Sequence, residues 1–425
     1  MKIAIIGTGI AGNVLAYHLH QEHDIAVFEA NDYIGGHSHT HDIVIDDEQQ
    51  VIDTGFIVFN YRTYPQFTAL LDKLGVKARK SDMSFSVKCE LSGLEYNGKN
   101  LNTLFAQRRN LLRPSFYRMI RDILRFNRTA PELLHQPHNQ ISLGEYLQQQ
   151  NFGEAFISQY IIPMGSAIWS SSFNQMMAFP AQLFIRFFAN HGLLSVNDHP
   201  DWYVIDGGSR NYVAALSRGY RNRIRLNEPV HRIDRKPGWV EISGPNTQAE
   251  KFDYVFMACH ADQALTMLGT ADAFEREILN AFPYQQNEAV LHTDASILPR
   301  QRRAWAAWNY HRRADFTRPA AVTYNMNILQ GLRSRHTFCV TLNNNEAIDE
   351  SRILRRMQYA HPLFTERGML AQQRHCEING HHRCFYAGAY WRYGFHEDGV
   401  ISAIHALQHF NEHLGYEQQT VRRAG

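Results

Sequence analysis

Residues 2–19 read Lys2-Ile-Ala-Ile-Ile-Gly7-Thr-Gly9-Ile-Ala-Gly12-Asn-Val-Leu-Ala-Tyr-His-Leu19, and residues 25–29 read Ile25-Ala-Val-Phe-Glu29. A short apolar run precedes a turn with three glycines, and apolar positions at helical spacing follow that turn. The second run is a further short strand. This order of strand, glycine turn, helix and strand predicts a βαβ unit that binds a dinucleotide.

The residue types in this turn suit a phosphate site. Gly7 permits a tight turn, Gly9 lets backbone N–H groups approach a pyrophosphate, and Gly12 brings the helix close to the strand. Phosphates are expected at the helix N-terminus, where unpaired N–H groups and the helix dipole favour anions. Glu29, at the end of the second strand, is predicted to accept hydrogen bonds from ribose hydroxyls. The predicted phosphate contacts are Gly7, Gly9, Ile10, Ala11 and Gly12.

The composition is that of a soluble globular protein. Of 425 residues, 44% are hydrophobic and 20% are charged, and the net charge of +2 gives no support to a nucleic-acid partner. The five cysteines are odd in number and lack C-x-x-C spacing, so neither a disulfide framework nor a four-thiolate zinc site is indicated. Because an apolar run begins at the third residue, we expect no signal peptide and a cytoplasmic location.

Two stretches outside this unit are unusual in charge. Residues 107–128 carry seven arginines and one acid, Asp122, among apolar residues, which predicts a basic amphipathic helix starting after Pro114. Such a helix is either a solvated charged face or a contact to the inner face of a membrane. Residues 155–185 contain no Asp, Glu, Lys, Arg or His, but prolines and a glycine interrupt them, so a spanning helix is not expected. They form either ordinary core or the wall of an apolar substrate tunnel.

A second motif carries a family resemblance. The pattern Glu29-Ala30-x-x-x-x-Gly35-Gly36-His37-x-x-Thr40 resembles the E-A-x4-G-G-R-x-x-T motif of the flavin-containing amine oxidase and carotenoid desaturase superfamily. Further matches run to the end of the chain: Asp206-Gly207-Gly208 is similar to the family's P-x-G-G, and residues 252–260 and 387–403 resemble its last two cofactor segments. The resemblance therefore covers nearly the whole length and implies FAD, not NAD, as the cofactor.

The resemblance also implies particular FAD contacts beyond the glycine turn and Glu29. They are Ala30, Gly35, Gly36, His37, Thr40, Val230, Gly388, Asp398, Gly399 and Val400. Three departures matter. His37 replaces the arginine of the motif, Ala389 replaces an acid that touches the ribityl chain, and no lysine follows Lys251. Because many amine oxidases place a lysine near flavin N5, the third departure counts against amine oxidation.

The fold class implied is α/β, with an FAD-binding Rossmann-like domain of the glutathione-reductase type interleaved with an α+β substrate domain. Segments 1–75, 203–282 and 372–425 are assigned to the FAD-binding domain. Segments 76–202 and 283–371 are assigned to the substrate domain. Metal binding is not predicted, because the histidines at 37, 39 and 41 lie inside the FAD motif and those at 405, 409 and 413 lack a carboxylate motif.

The terminal block Gly388-Ala-Tyr-Trp-x-Tyr-Gly-Phe-His-Glu-Asp-Gly399 narrows the resemblance. It is similar to a bacterial subgroup of NAD/FAD-binding oxidoreductases associated with cyclopropane-fatty-acid-synthase-like methyltransferases. This implies desaturation or dehydrogenation of a lipid acyl chain by hydride transfer to flavin N5. His396 or Glu397, in the loop expected to pass the flavin ring, is predicted to take the second proton, with a backbone-capping carboxylate as the alternative for Glu397. A lipid methyltransferase is then an expected partner. Two alternatives stay open: a flavin amine oxidase, and a non-catalytic flavoprotein partner of a lipid methyltransferase.

Overall fold

The computed structural model describes residues 1–136, 141–195, 198–245, 247–315 and 317–424. Within these ranges the backbone forms twenty β-strands, which in chain order are β1 Lys2–Ile6, β2 Asp24–Phe28, β3 Thr40–Ile45, β4 Glu48–Asp53, β5 Val58–Phe59, β6 Ala78–Lys80, β7 Phe85–Cys89, β8 Glu95–Asn97, β9 Tyr203–Ile205, β10 Ile224–Arg225, β11 Arg232–Lys236, β12 Trp239–Gly244, β13 Thr247–Phe252, β14 Tyr254–Met257, β15 Tyr284–His292, β16 Trp308–Arg312, β17 Ala321–Asn325, β18 Cys339–Leu342, β19 Ile353–Pro362 and β20 Cys384–Tyr386.

The same ranges contain fifteen α-helices, which are α1 Ile10–Leu19, α2 Pro65–Leu74, α3 Leu101–Leu104, α4 Pro114–Thr129, α5 Leu143–Gln149, α6 Glu154–Phe156, α7 Ile162–Trp169, α8 Phe173–Met177, α9 Ala181–Asn190, α10 Arg210–Ser217, α11 Ala261–Met267, α12 Ala273–Leu279, α13 Met326–Leu329, α14 Glu366–Gln372 and α15 His396–Ala424. A π-helical turn, Ile157–Ile161, joins α6 to α7. Short 3-10 turns are Arg108–Leu112, Ala130–His135, Arg221–Arg223, Ala295–Ile297, Arg302–Ala304, Asn345–Ala347, Glu350–Arg352, His375–Glu377, His381–Arg383 and Ala389–Trp391.

The first sheet contains both ends of the chain. Its order is β10-β2-β1-β14-β20, and every pairing in it is parallel. Strands β1 and β14 are apolar and almost entirely buried, as strands covered on both faces must be. Helices α1 and α15 both pack on this sheet, where residues of both belong to one apolar cluster. The predicted α/β class with a Rossmann-like parallel sheet is thereby confirmed.

The second sheet has the order β19-β15-β18-β17-β16-β7-β8 and is antiparallel except for the parallel pair β16 and β7. Strands of the first sheet all fall in the segments assigned to the FAD-binding domain, and strands of the second all fall in those assigned to the substrate domain. A smaller sheet, β5-β9-β6, crosses that boundary, because β6 at 78–80 pairs with β9 at 203–205.

The two unusual stretches become helices of the substrate domain. Helix α4 begins at Pro114, as the sequence predicts, and a 3-10 turn at 108–112 precedes it. Residues 155–185 fold into several short helices whose apolar side chains fill one buried cluster with the inner face of α4. Among the described residues, no helix is both long enough and apolar enough to cross a membrane.

A buried ion pair fastens the first sheet to its flanking elements. The Glu275 carboxylate on α12, with no accessible surface, accepts hydrogen bonds from Arg235 Nη1 on β11 at 2.5 Å and from the Tyr386 hydroxyl on β20 at 2.7 Å. Because β20 is an edge strand of the sheet, this carboxylate links it to the β11–β13 meander. Removing one partner of such a pair leaves the other charge buried and uncompensated.

We therefore expect Glu275→Ala to lower the free energy of unfolding by about 3 to 5 kcal/mol, because Arg235 loses its counter-ion in a buried position. Urea denaturation followed by circular dichroism measures the change. The matched control is Glu277→Ala on the same helix, whose exposed pair with Arg374 is worth at most about 1 kcal/mol. An equal loss of unfolding free energy in both variants would show that the buried pair contributes no more stability than the exposed pair.

Candidate functional site

Three segments remote in sequence meet at the N-terminus of α1. A Cβ atom on Gly36 would lie 3.0 Å from Gly9 Cα, and one on Gly399 would lie 2.6 Å from Ile10 Cγ2. The loop of the second motif and the first turn of α15 therefore both press on the glycine turn. The predicted convergence of the N-terminal and C-terminal motifs is present in the structure.

The glycine turn leaves room for a ligand at one position only. Gly7 has φ +98°, and a Cβ on Gly12 would lie 1.9 Å from Gly7 O, so both are fixed by the fold itself. A Cβ on Gly9, in contrast, would meet no atom within 4 Å. Gly9 is also the N-cap of α1 and provides no side-chain cap. Open space thus faces N–H groups that have no intrahelical partner, which is the arrangement a pyrophosphate needs.

Glu29 lies beside this turn with its carboxylate fully occupied. Oε2 accepts from the Thr8 N–H at 2.9 Å and from the Thr8 hydroxyl, and Oε1 accepts from the N–H and side-chain amide of Asn31 at 2.9 and 2.8 Å. Two of these four donors are rotatable side-chain groups. Ribose hydroxyls could replace those two donors without disturbing the two backbone bonds, so the carboxylate fits its predicted role.

His37, in the place of the family's arginine, is a neutral imidazole next to the glycine turn. We call this turn, residues 7–12, together with Glu29 the cradle. Its Nε2 is buried without a hydrogen-bond partner in the part of the chain that the structure describes. Burial, with a smaller effect of His260, lowers the pKa of His37 to about 4. The rings of His361 and His260 lie 5.5 and 6.2 Å from its own, and Tyr359 lies at 5.2 Å.

Three polar side chains near the two glycine motifs are desolvated although each keeps some accessible surface. His37, His361 and Cys259 are half-buried, and burial lowers the pKa of His361 to about 3 and raises that of Cys259 to about 12. The raised pKa favours a packing role for Cys259, as the sequence suggests, over an activated thiol.

An aromatic pair lies at the junction of the two domains. Trp308 on β16 and Tyr324 on β17 are cross-strand neighbours with ring centroids 4.9 Å apart. Both are half-buried and pack against two apolar clusters, one formed with the helices of 116–188 and one formed with strands β3, β4 and β9. Burial alone raises the pKa of Tyr324, with no contribution from any charged neighbour. The surroundings of this pair are therefore apolar.

His396 lies where the C-terminal helix enters the site. Its ring stacks on Phe56 with centroids 3.7 Å apart, and its Nε2 shares a hydrogen bond of 2.8 Å with the Tyr212 hydroxyl, which in turn contacts the Ser38 hydroxyl. Burial holds the pKa of His396 well below its usual value, so the ring is neutral at pH 7. The preceding Phe395 turns the other way and stacks on Phe187 of α9 at 4.8 Å.

The two carboxylates after His396 bind backbone N–H groups. Glu397 accepts from Gln66 N at 2.9 Å and Phe67 N at 2.8 Å and so caps the N-terminus of α2. Asp398 accepts from Phe395 N at 2.9 Å and pairs with Arg392, while burial raises its pKa to about 6. Each oxygen of Glu397 accepts one backbone hydrogen bond, which favours the capping role for this residue over the catalytic one.

The other predicted FAD contacts differ in their exposure and in their hydrogen-bond partners. Thr40 donates its hydroxyl proton to Asp53 Oδ1 at 2.6 Å and accepts from Arg210 N, so it ties the second motif to the 206–210 turn. Gly388 donates its N–H to the Ser402 hydroxyl. Ala30 follows Glu29 and is exposed, and Gly35 and Val400 are buried. Val230 is half-buried beside an apolar cluster that includes residues of β11, β12 and β14.

Sequence reasoning missed several residues that build this site. Asp53, buried on β4, accepts from Thr40, Ser209 and Gln330 and so joins three loops, although burial raises its pKa. Ser38 and Tyr212 were also missed, yet each lies close after a glycine motif that the sequence analysis identified, which was the available signal. Among the described residues, no group of three or more metal-ligating side chains converges.

A separate surface cavity of about 450 Å³ lies between Glu288, Arg318, Asn343, Glu350 and Arg356. Its lining is mostly polar, and it shares no residue with the cradle or the apolar junction. We assign it no part in cofactor binding.

Comparisons with known proteins agree with this geometry. The sequence profile for "flavin containing amine oxidoreductase" matches residues 10–292. Cyclohexylamine oxidase from Brevibacterium oxydans IH-35A is similar in structure over 97% of this chain and 99% of its own, at 13% identity and a TM-score of 0.70. A fatty acid isomerase from P. acnes that produces CLA covers 96% and 98%, at 16% identity and 0.67. Putrescine oxidase bound to putrescine covers 96% and 99%, at 14% identity and 0.65. No curated protein has a significant sequence match.

The glycine turn gives a direct test of the cradle. We expect Gly9→Ala to leave folding unchanged, because its Cβ meets no atom and its φ of −62° suits alanine, but to abolish flavin retention by filling the phosphate space. Visible absorbance of the purified protein measures flavin content, and the thermal midpoint of the flavin-free protein measures folding.

Two further variants serve as controls for the Gly9→Ala variant. Gly12→Ala should fail to fold, since its Cβ would clash with Gly7 O, and Gly415→Ala, also in open space, should change neither property. Full flavin content in Gly9→Ala would show that the phosphates bind elsewhere.

Proposed function

Since the chain belongs to the family of flavin-containing amine oxidoreductases, we propose that this FAD-dependent oxidoreductase desaturates or dehydrogenates a lipid acyl chain. The observation that carries the proposal is the half-buried aromatic pair Trp308 and Tyr324 between two apolar clusters, which we take as the wall of a cavity for an acyl chain. An acyl chain has no charged group along its length, so only a cavity of this character can position it.

The apolar surroundings distinguish the proposed cavity from one built for a cation. Tyr324 and Tyr160 pack against the same apolar cluster, and burial raises the pKa of both, that of Tyr160 to about 12. Both tyrosines keep accessible surface. A protonated amine entering the same space would lose its hydration without gaining a counter-ion, which is costly.

The residues of the cradle fit FAD, which when bound supplies an acceptor for a hydride. The open space at Gly9 and the uncapped start of α1 receive the pyrophosphate, and Glu29 receives the ribose hydroxyls. The protein then contributes position and exclusion of water. The two domains enclose the reacting carbon between the cradle on one side and the aromatic pair Trp308 and Tyr324 on the other.

His396 is the proposed acceptor of the proton that leaves with the second C–H bond. Its ring is neutral, as a base must be, and Phe56 and Tyr212 fix its orientation. The Tyr212 hydroxyl occupies Nε2, so Nδ1 is the nitrogen that remains for the substrate proton. An existing double bond in the chain makes the adjacent C–H allylic and eases both losses.

The structural neighbours leave a second candidate, a flavin amine oxidase, because two of them carry amine substrates in their names. The absence of lysine after Lys251 and the uncharged cavity argue against it. A third candidate is a flavoprotein that binds lipid for a methyltransferase without oxidising it. All three predict FAD binding and differ in what reduces the flavin.

Anaerobic mixing separates the candidates. Phosphatidylglycerol with one oleoyl chain, dispersed in detergent, is expected to bleach the visible absorbance of the bound flavin, and cyclohexylamine and putrescine are not. Trp308→Ala should raise the lipid concentration for half-maximal bleaching roughly 10- to 100-fold, because it removes a large part of the apolar wall. Tyr324→Phe, which keeps that wall, is the control. Bleaching by amines would support the oxidase, and bleaching by neither class would support the accessory protein.

The imidazole at position 37 predicts a pH dependence of FAD affinity. His37 is neutral in the free protein with a pKa of about 4, and the negative charge of a nearby pyrophosphate must raise that pKa in the complex. Binding then takes up a proton, so the dissociation constant should rise with pH above 5 and level off once the bound His37 is neutral. His260, His361 and Tyr359 face the same ring, and the first two are neutral throughout this range.

Calorimetry in buffers of different ionisation enthalpy counts the protons taken up. His37→Arg should remove the pH dependence, because a guanidinium stays charged. His191→Gln is the matched control, because burial also lowers the pKa of His191 to about 4. The His191 ring stacks on Phe187 of α9 and belongs to neither glycine motif. An unchanged pH dependence in His37→Arg would exclude His37 as the group that takes up the proton.

A further inference from the structure

The outer face of residues 108–128 combines exposed apolar side chains with arginines. Of the twelve large apolar side chains exposed in the described part of the chain, four lie here: Leu111 at 46%, Leu112 at 87%, Tyr117 at 46% and Leu124 at 53%. Single exposed leucines are common on protein surfaces, but a group of them with one charge sign around it marks an interaction site. We call this surface the 108–128 face.

Helix α4 has one face turned to the core and another turned to solvent, and the solvent face is ordered. Phe116, Met119 and Phe126 are buried in the helical cluster. Tyr117, Arg121, Leu124 and Arg128 project on the opposite side, within about 60° of one another at about 100° per residue. Apolar and basic side chains thus alternate along a single exposed stripe of the helix.

The preceding turn belongs to the same surface. The Tyr117 hydroxyl donates to Leu111 O at 3.0 Å, which fixes the 3-10 turn of residues 108–112 against the start of α4. Leu111 and Leu112 therefore extend the exposed stripe beyond the helix N-terminus. Ordering these side chains in the free protein reduces the entropy that binding would otherwise cost.

The positive charge of this face is only partly compensated. Residues 101–131 contain seven arginines and a single acid, Asp122, which is buried and binds Gly153 N and Arg125. Throughout the described ranges, Arg118 and Arg128 have no carboxylate within ion-pair distance. Leucine tips beside arginines whose long stems can reach past them suit a bilayer with anionic headgroups, where the tips enter the acyl boundary and the guanidinium groups meet phosphates.

We propose that the 108–128 face docks the protein on an anionic lipid bilayer. The charge sign selects a phosphate-rich surface, and the protruding leucines select one with an apolar layer beneath it. The opposite side of α4 lines the apolar cluster that also receives Trp308 and Tyr324. Docking in this orientation turns the helical side of the proposed acyl cavity towards the source of its substrate. This last point rests on the proposed function, whereas docking itself does not.

Vesicle flotation of the FAD-loaded full chain tests the proposal. Vesicles of phosphatidylcholine and phosphatidylglycerol at about 7:3 should bind the protein, and pure phosphatidylcholine should bind it at least about tenfold more weakly. Raising the salt concentration should weaken binding to the mixed vesicles, because the arginine contribution is screened. No binding to the mixed vesicles, or equal binding to both, would overturn the proposal.

Two double variants separate the contributions. Arg118→Glu with Arg128→Glu should reduce binding at least about twentyfold, and Leu112→Ser with Leu124→Ser at least about tenfold. Control variants are Arg303→Glu with Arg333→Glu, and Leu370→Ser, all exposed positions outside the face, which should bind as the unchanged protein does. Equal losses in the control variants would overturn the assignment to this face.

The outcome is independent of the catalytic proposal. Detergent-dispersed lipid needs no docking, so both double variants should still bleach their flavin with it if acyl oxidation is correct. Loss of vesicle binding with intact bleaching supports both proposals. Vesicle binding without bleaching by any lipid supports docking and contradicts acyl oxidation.

Discussion

The close backbone contact at the N-terminus of α1 is the constraint on which the site depends. A Cβ on Gly36, whose φ is +58°, would lie 3.0 Å from Gly9 Cα, and a Cβ on Gly399 would lie 2.6 Å from the Ile10 side chain, so both positions favour glycine. Because these contacts join residues near both ends of the chain, they place the FAD cradle, the second motif and the start of α15 within one small volume. His37 and His396 then follow directly from the glycine segments that precede them. The chemistry of the site is in this sense set by steric contacts between backbone segments.

A second feature of the arrangement is the apolar junction between the domains. The second sheet is covered partly by the helices of 116–188 and partly by strands from the FAD-binding side, and Trp308 and Tyr324 lie where these two covers meet. Side chains at that junction are desolvated yet keep accessible surface. A cavity formed between two apolar covers needs no charged lining, and this explains why burial alone determines the pKa of Tyr324.

The fold was largely predictable because its signals are local. The glycine turn, the alternation around it and the motif at 29–40 each depend on residues close in sequence, and helix α4 begins at the proline that the pattern indicated. The site was only partly predictable. Glu397 looked like a base by its position in the terminal block, but only the three-dimensional structure shows that it caps α2, over three hundred residues earlier in the chain. Asp53, Trp308 and Tyr324 gave no local pattern, since their importance arises from contacts between distant strands.

The position of β20 and α15 has a bearing on how the protein is made. Strand β20 completes the first sheet by pairing with β14, and α15 supplies the last wall of the cradle. Neither element exists until residue 384 has been synthesised. Until then the edge of β14 stays open for pairing with other chains, a state prone to aggregation. The segment that closes this edge therefore also brings the last contact to the glycine turn.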